Sequence, residues 1–113
     1  MKTQTVRAGE FLVSEANGTR SREAIEVTGG PYLPGQVLGK LTGTGAYTAY
    51  DASVDPEDGS ETAAAVLYDA ADGSEATVSG VAIVRDAEVS VDLLTGADDD
   101  GIADLAAIGV IAR

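Results

Sequence analysis

Between Tyr32 and Tyr68 the chain is cut into short extended runs by closely spaced turn signals. Pro34-Gly35 is a turn, because Pro presets φ at the first corner and Gly accepts positive φ at the second. Val37 to Thr42 reads as a strand interrupted by Gly39, Gly43-Thr44-Gly45 reverses the chain, and Ala46 to Tyr50 runs back. Asp58-Gly59 marks another turn, and Thr62 to Tyr68 is an apolar run bounded by acids. Short strands joined by Gly turns build a compact β unit and leave no room for a βαβ crossover, which needs a dozen or more connecting residues. The rest of the chain is expected to wrap around this unit.

Before it, Met1 to Arg22 has little periodicity, with Phe11-Leu12-Val13 its one apolar cluster, and reads as an extended arm. In a strand, Phe11 and Val13 would share one face and Leu12 the other. Ala24 to Thr28 alternates apolar Ile25 and Val27 with polar neighbours and predicts a strand that Gly29-Gly30-Pro31 ends. Ala52 to Ser60 and Asp69 to Ser74 read as polar loops. Val81 to Val84 predicts a buried strand continuing toward Val91. Thr95 to Ile108 is the one convincing helix. Thr95-Gly96-Ala97-Asp98 has capping-box spacing, Asp98, Asp99 and Asp100 sit in the first turn, and Gly109 is placed to end it. Val110 to Arg113 would be a final strand.

With 113 residues the chain makes one domain. Its apolar residues are mostly Val and Ala, with one Phe and no Trp, so a thin core and burial against another subunit or partner are expected. The net charge is −12. Lys2, Arg7, Arg20 and Arg22 against Glu10 and Glu15 give the first 22 residues +2, which leaves −14 on residues 23–113. Such a body lacks the clustered cations that nucleic-acid binding requires. There is no Cys, hence no disulfide or thiolate chemistry. No apolar run approaches a membrane span, and no signal peptide is visible, so the chain reads as one made in a cytoplasm.

Chemistry-bearing motifs are few. The run Asp98 to Asp100 suggests calcium, but placing Gly101 at the sixth position of an EF-hand loop puts Gly96 first and Ala107 twelfth, where ligands are needed. Helix N-terminal charge accounts for it better. Gly43-Thr44-Gly45 lacks the third glycine and following helix of a dinucleotide site, and Gly39-Lys40-Leu41 lacks the hydroxyl of a phosphate loop. Asn17-Gly18-Thr19 is a formal glycosylation sequon without a secretory route. With no His and no Cys, Ser–His–Asp triads, cysteine nucleophiles and imidazole zinc sites are excluded. One Phe and four Tyr could hardly line a sugar cleft. The tyrosines Tyr32, Tyr47, Tyr50 and Tyr68 are expected to cover the core edge with their hydroxyls in water.

Several segments together resemble one family. They are Gly9 to Glu23, Leu33-Pro34-Gly35-Gln36-Val37-Leu38-Gly39, Tyr47-Thr48-Ala49-Tyr50-Asp51, Gly59 to Leu67, Val84 to Val89 and Leu105 to Arg113. In this order they look like the lambda-type head decoration protein D family of tailed phages. The resemblance implies a mainly β, small β-clip-like domain with an extended N-terminal arm and one C-terminal helix, divided into an arm at 1–22 and a β-rich domain at 23–113. It implies a non-enzymatic virion protein without cofactor or metal, made in the host cytoplasm. Such a protein sits on the outer capsid surface as a homotrimer and cements neighbouring major capsid protein subunits against internal DNA pressure, with neither nucleic acid nor membrane as partner. The expected capsid-binding residues are Glu10, Phe11, Leu12, Val13 and Arg20, acting by strand addition to a capsid-protein edge. Two other readings stay open. A generic small acidic β-rich ligand- or protein-binding module would need a concave pocket. A β-clip domain of a sugar- or metal-processing enzyme would need catalytic residues that the sequence does not offer.

Overall fold

The structure is a computed structural model that describes residues 12–15, 21–54 and 57–113. The chain order is β1 (Leu12–Glu15), β2 (Arg22–Tyr32), β3 (Val37–Lys40), β4 (Tyr47–Ala49), β5 (Ala63–Leu67), β6 (Ala71–Ile83), β7 (Ala87–Val89), a 3-10 turn (Val91–Leu93), α1 (Asp99–Ala107) and β8 (Val110–Ala112). Five strands close a barrel in the order β2-β4-β3-β5-β6, and β1-β7-β8 form a separate three-stranded sheet. The protein is thus mainly β, with one α-helix among the described residues, near its C-terminus, as the sequence leads one to expect. Within the span read as an arm, Leu12–Glu15 pairs with β7.

The unit read from Tyr32 to Tyr68 is present. Strand β3 pairs antiparallel with both β4 and β5, and its register sets Leu38 opposite Ala49 and Ala65. Alternate residues of the barrel strands serve two cores. Leu38, Ala65, Leu67 and Ala82 join Ile25, Val27 and Tyr47 in one cluster. Val37, Val66 and Ile83 face the other way, toward Val89, Leu105 and Val110 of the small sheet and helix. Burial on both faces explains why Thr62 to Tyr68 is continuously apolar rather than alternating.

Two strands run further than the turn residues suggest. The predicted strand at Ala24 to Thr28 extends to Tyr32, and the predicted loop at Asp69 to Ser74 is largely the start of β6. The long β2–β6 ladder absorbs these residues through register shifts at Val27/Gly29 and Gly29/Tyr32. Gly29 opposes Gly73 there, and a side chain on Gly73 would collide with the Val27 carbonyl oxygen and the Thr28 backbone. Here glycine permits close approach of two strands.

The helix starts at Asp99, later than its capping-box spacing suggests. Thr95 is committed elsewhere: its N–H donates to the Gly35 carbonyl at 2.9 Å, and its own carbonyl accepts from Val37 N at 3.0 Å. Asp98 caps the helix instead, accepting from Gly101 N at 2.7 Å. Leu105 is fully buried on the inner face, and Gly109, at φ +87°, ends the helix before β8, as expected.

Candidate interaction surface

Strand β1 lies at one edge of the small sheet. Leu12 opposes Val89, Ser14 opposes Glu88 and Glu15 opposes Ala87, with a register shift that sets Val13 and Ser14 against Glu88 alone. The inward Leu12 packs on the core cluster, whereas Val13 is 55% exposed. Glu88 and Ile111 are register partners on β7 and β8, Ile111 is exposed, and Arg113 Nε donates to Glu88 at 2.6 Å. Val13, Glu88 and Ile111 therefore mark the outer face of this sheet. Among the described residues no strand pairs with β1 on the side away from β7. Of the residues expected to bind capsid, Leu12 and Val13 are here; Glu10, Phe11 and Arg20 lie outside the described residues.

The acids of the body are largely occupied by local structure. Asp51, Asp58 and Asp72 each accept from the N–H and Oγ of the serine two positions on, namely Ser53, Ser60 and Ser74. The Ser60 and Ser74 bonds hold the Asp58 and Asp72 carboxyls below the usual range. This repeated Asp-x-Ser pattern is legible in the sequence and marks turns. Asp104 Oδ2 accepts from Ala63 N at 3.0 Å, so a helix side chain satisfies the first amide of β5. Asp98 accepts from Gly101 N and from the Tyr50 hydroxyl, and both bonds depress its pKa.

The hydroxyls of Tyr32 and Tyr50 depart from expectation. Tyr50 is buried and donates to Asp98; burial, and then that bond, push its phenol well above the ordinary range. The Tyr32 hydroxyl bridges Thr48 Oγ1 at 3.1 Å and Ala49 N at 3.2 Å. Burial raises Tyr47 too, with Glu23 adding to the shift. Each shift has a structural cause and none sits beside a nucleophile and base. Among the described residues no group of three or more carboxylates is placed to hold a metal ion, and no helix is long and apolar enough to cross a membrane.

Two shallow grooves lie on the described surface. One of about 250 Å³ lies among Pro31, Tyr32, Leu33, Ala70, Ala71 and Asp72. The other, of about 220 Å³, separates the start of β2 (Glu23 to Glu26) from Lys40, Gly45 and Tyr47 at the β3–β4 hairpin. Sequence reading misses both, because each is set by strands distant in sequence. The second depends on a parallel contact between β2 and β4 that is a single pair, Val27 with Tyr47.

No curated protein sequence matches the chain. A family model does: that of the bacteriophage lambda head decoration protein D, over residues 1–110. The match runs across nearly the whole chain, on a mainly β domain. The chain belongs to the bacteriophage lambda head decoration protein D family.

Proposed function

We propose that this protein binds the outer surface of the expanded phage head as trimers and cements neighbouring major capsid protein subunits against the pressure of packaged DNA. The observation that carries the reading is the family match over residues 1–110, which makes the protein a phage head decoration protein and the capsid its partner. The thin Val and Ala core favours burial against further copies. In this reading the protein is structural, needs no cofactor and performs no catalysis.

The proposed contact is the N-terminal segment, with Glu10, Phe11, Leu12, Val13 and Arg20. Because β1 is paired on one side only among the described residues, a capsid strand could extend the sheet beyond it, with backbone bonds supplying affinity and exposed Val13 a side-chain contact. Leu12 would contribute through its backbone, since its side chain packs inward. Three arms per trimer would let weak single contacts bind tightly together. The test is co-purification with filled heads, followed by cross-linking of the bound protein. Stoichiometric presence on intact heads with cross-linked trimers supports the proposal; absence from heads of infected-cell lysates overturns it.

A further inference from the structure

The cleft between β2 and the β3–β4 hairpin exposes the backbone edge of β2 at Ala24, which no strand among the described residues pairs with. Val84 N donates to the Ser21 carbonyl at 2.9 Å, one step before the β2–β6 ladder that pairs Arg22 with Ile83 and Ala24 with Val81. In an antiparallel ladder the bonding direction alternates. Residues 21, 23, 25 and 27 therefore bond toward β6, and 22, 24 and 26 turn away. The opposite strand agrees: Val81, facing Ala24, gives its carbonyl to Tyr68 N on the far side, at 2.9 Å. The N–H and C=O of exposed Ala24 thus point into the cleft. The β2–β4 pairing stops at Val27 and Tyr47, and nothing among the described residues bonds to them.

The walls select the charge of what enters. Glu23 and Glu26 line the cleft and are exposed; Glu23 shares Arg85 at 3.5 Å, and Glu26 has no ion-pair partner among the described residues. The one cation in the lining, Lys40, is drawn over the Tyr47 ring at 5.8 Å. Residues 23–113 carry −14, so a segment bearing positive groups is the electrostatic complement of this part of the body.

We infer that an extended segment of the capsid shell, carrying Lys or Arg, enters this cleft and pairs as a strand with the Ala24 edge of β2. This rests on the head-binding reading and adds a second contact on the body, apart from the N-terminal segment. The hairpin caps the slot, so only a short stretch fits, and the Ala24 donor and acceptor set its register.

The test uses the full chain and undecorated expanded heads of its own phage. In Ala24→Pro the missing N–H is the outward one, so the β2–β6 ladder keeps its bonds. A second variant, Glu23→Gln with Glu26→Gln, keeps the backbone intact. In pelleting assays each should bind heads about tenfold more weakly or worse, the loss of one or two bonds at the contact. The double variant should also lose part of the salt dependence of wild-type binding. Hydrogen exchange of the wild type should show the Ala24 amide slowing on heads. If wild type binds but both variants bind equally well and Ala24 exchange is unchanged, the inference is overturned while head binding stands. If the variants change self-association in sedimentation but not head binding, the cleft serves copies of this chain, which also overturns it. Failure of wild type to bind at all overturns the head-binding reading itself.

Discussion

The Tyr50 hydroxyl donates to Asp98 Oδ1 at 2.8 Å across a separation of 48 residues. This bond ties the chain just after β4 to the residue that caps α1. Asp98 thereby serves the helix through Gly101 N and the barrel through Tyr50 at once. The helix can dock over Leu105 only where this cap holds it, so local capping and tertiary packing are coupled.

The coupling depends on pH with a definite sign. The Asp98 carboxyl is held below its ordinary value of 3.8, first by the Gly101 N–H and then by the Tyr50 hydroxyl. A carboxylate depressed in the folded state adds stability above its unfolded pKa and loses it as pH falls through the folded one. Asp98→Asn should therefore melt a few degrees below wild type at neutral pH, and the gap should close progressively below about pH 4. Scanning calorimetry across that range checks this. A gap that persists in acid would trace the loss to shape rather than charge.

Leu105 is fully buried against the second core cluster. Leu105→Ala should destabilise the domain by about 2–5 kcal/mol, through lost transfer energy and a residual cavity. Leu105→Asp should prevent folding, because it buries an unpaired charge. Urea denaturation of the alanine variant and circular dichroism of the aspartate variant measure the two effects. Unchanged stability in either would mean that α1 does not pack on the barrel.

Gly39 and Gly43 should respond very differently to the same change. A Cβ on Gly39 would lie 2.5 Å from Ser60 Cα and 2.7 Å from its carbonyl oxygen, whereas one on Gly43 would meet nothing within 4 Å. Gly39→Ala should cost about 1–3 kcal/mol by forcing β3 away from the Ser60 backbone. Gly43→Ala should stay within about 0.5 kcal/mol of wild type. Equal melting temperatures for the two variants would contradict the close approach.

The parts of this fold legible in the sequence are local ones. Pro34-Gly35, Gly43-Thr44-Gly45 and Asp58-Gly59 punctuate the β3–β4–β5 unit, and Gly109 stops the helix, because each acts on its own backbone. What stayed hidden depends on distant partners. Asp72-Gly73 looks like a loop until β2 is laid beside it, and Gly29-Gly30-Pro31 looks like a strand end until Gly73 opposes Gly29. Thr95 has the right spacing for a cap, but Gly35 and Val37 claim its backbone first. The same holds for the candidate surfaces. The apolar cluster Phe11-Leu12-Val13 stands out in the sequence, whereas the open edge at Ala24 follows only from the ladder direction and the single β2–β4 pair.

The position of β1 defines the most direct test of the central claim, that the protein decorates phage heads through its N-terminal segment. Leu12 covers the core from β1, and buried Ser21 gives its carbonyl to Val84, so a truncation that spares both is required. The measurement is a pelleting titration of undecorated expanded heads with the full chain and with a chain beginning at Leu12, beside thermal melts of each. The account predicts that the full chain saturates the heads, while the truncated chain melts at nearly the same temperature and binds them much more weakly, since it keeps β1 but loses Glu10 and Phe11. Saturation by the truncated chain at full-length affinity would move the contact off residues 1–11, Glu10 and Phe11 included, and a full chain left in the supernatant would contradict head decoration outright.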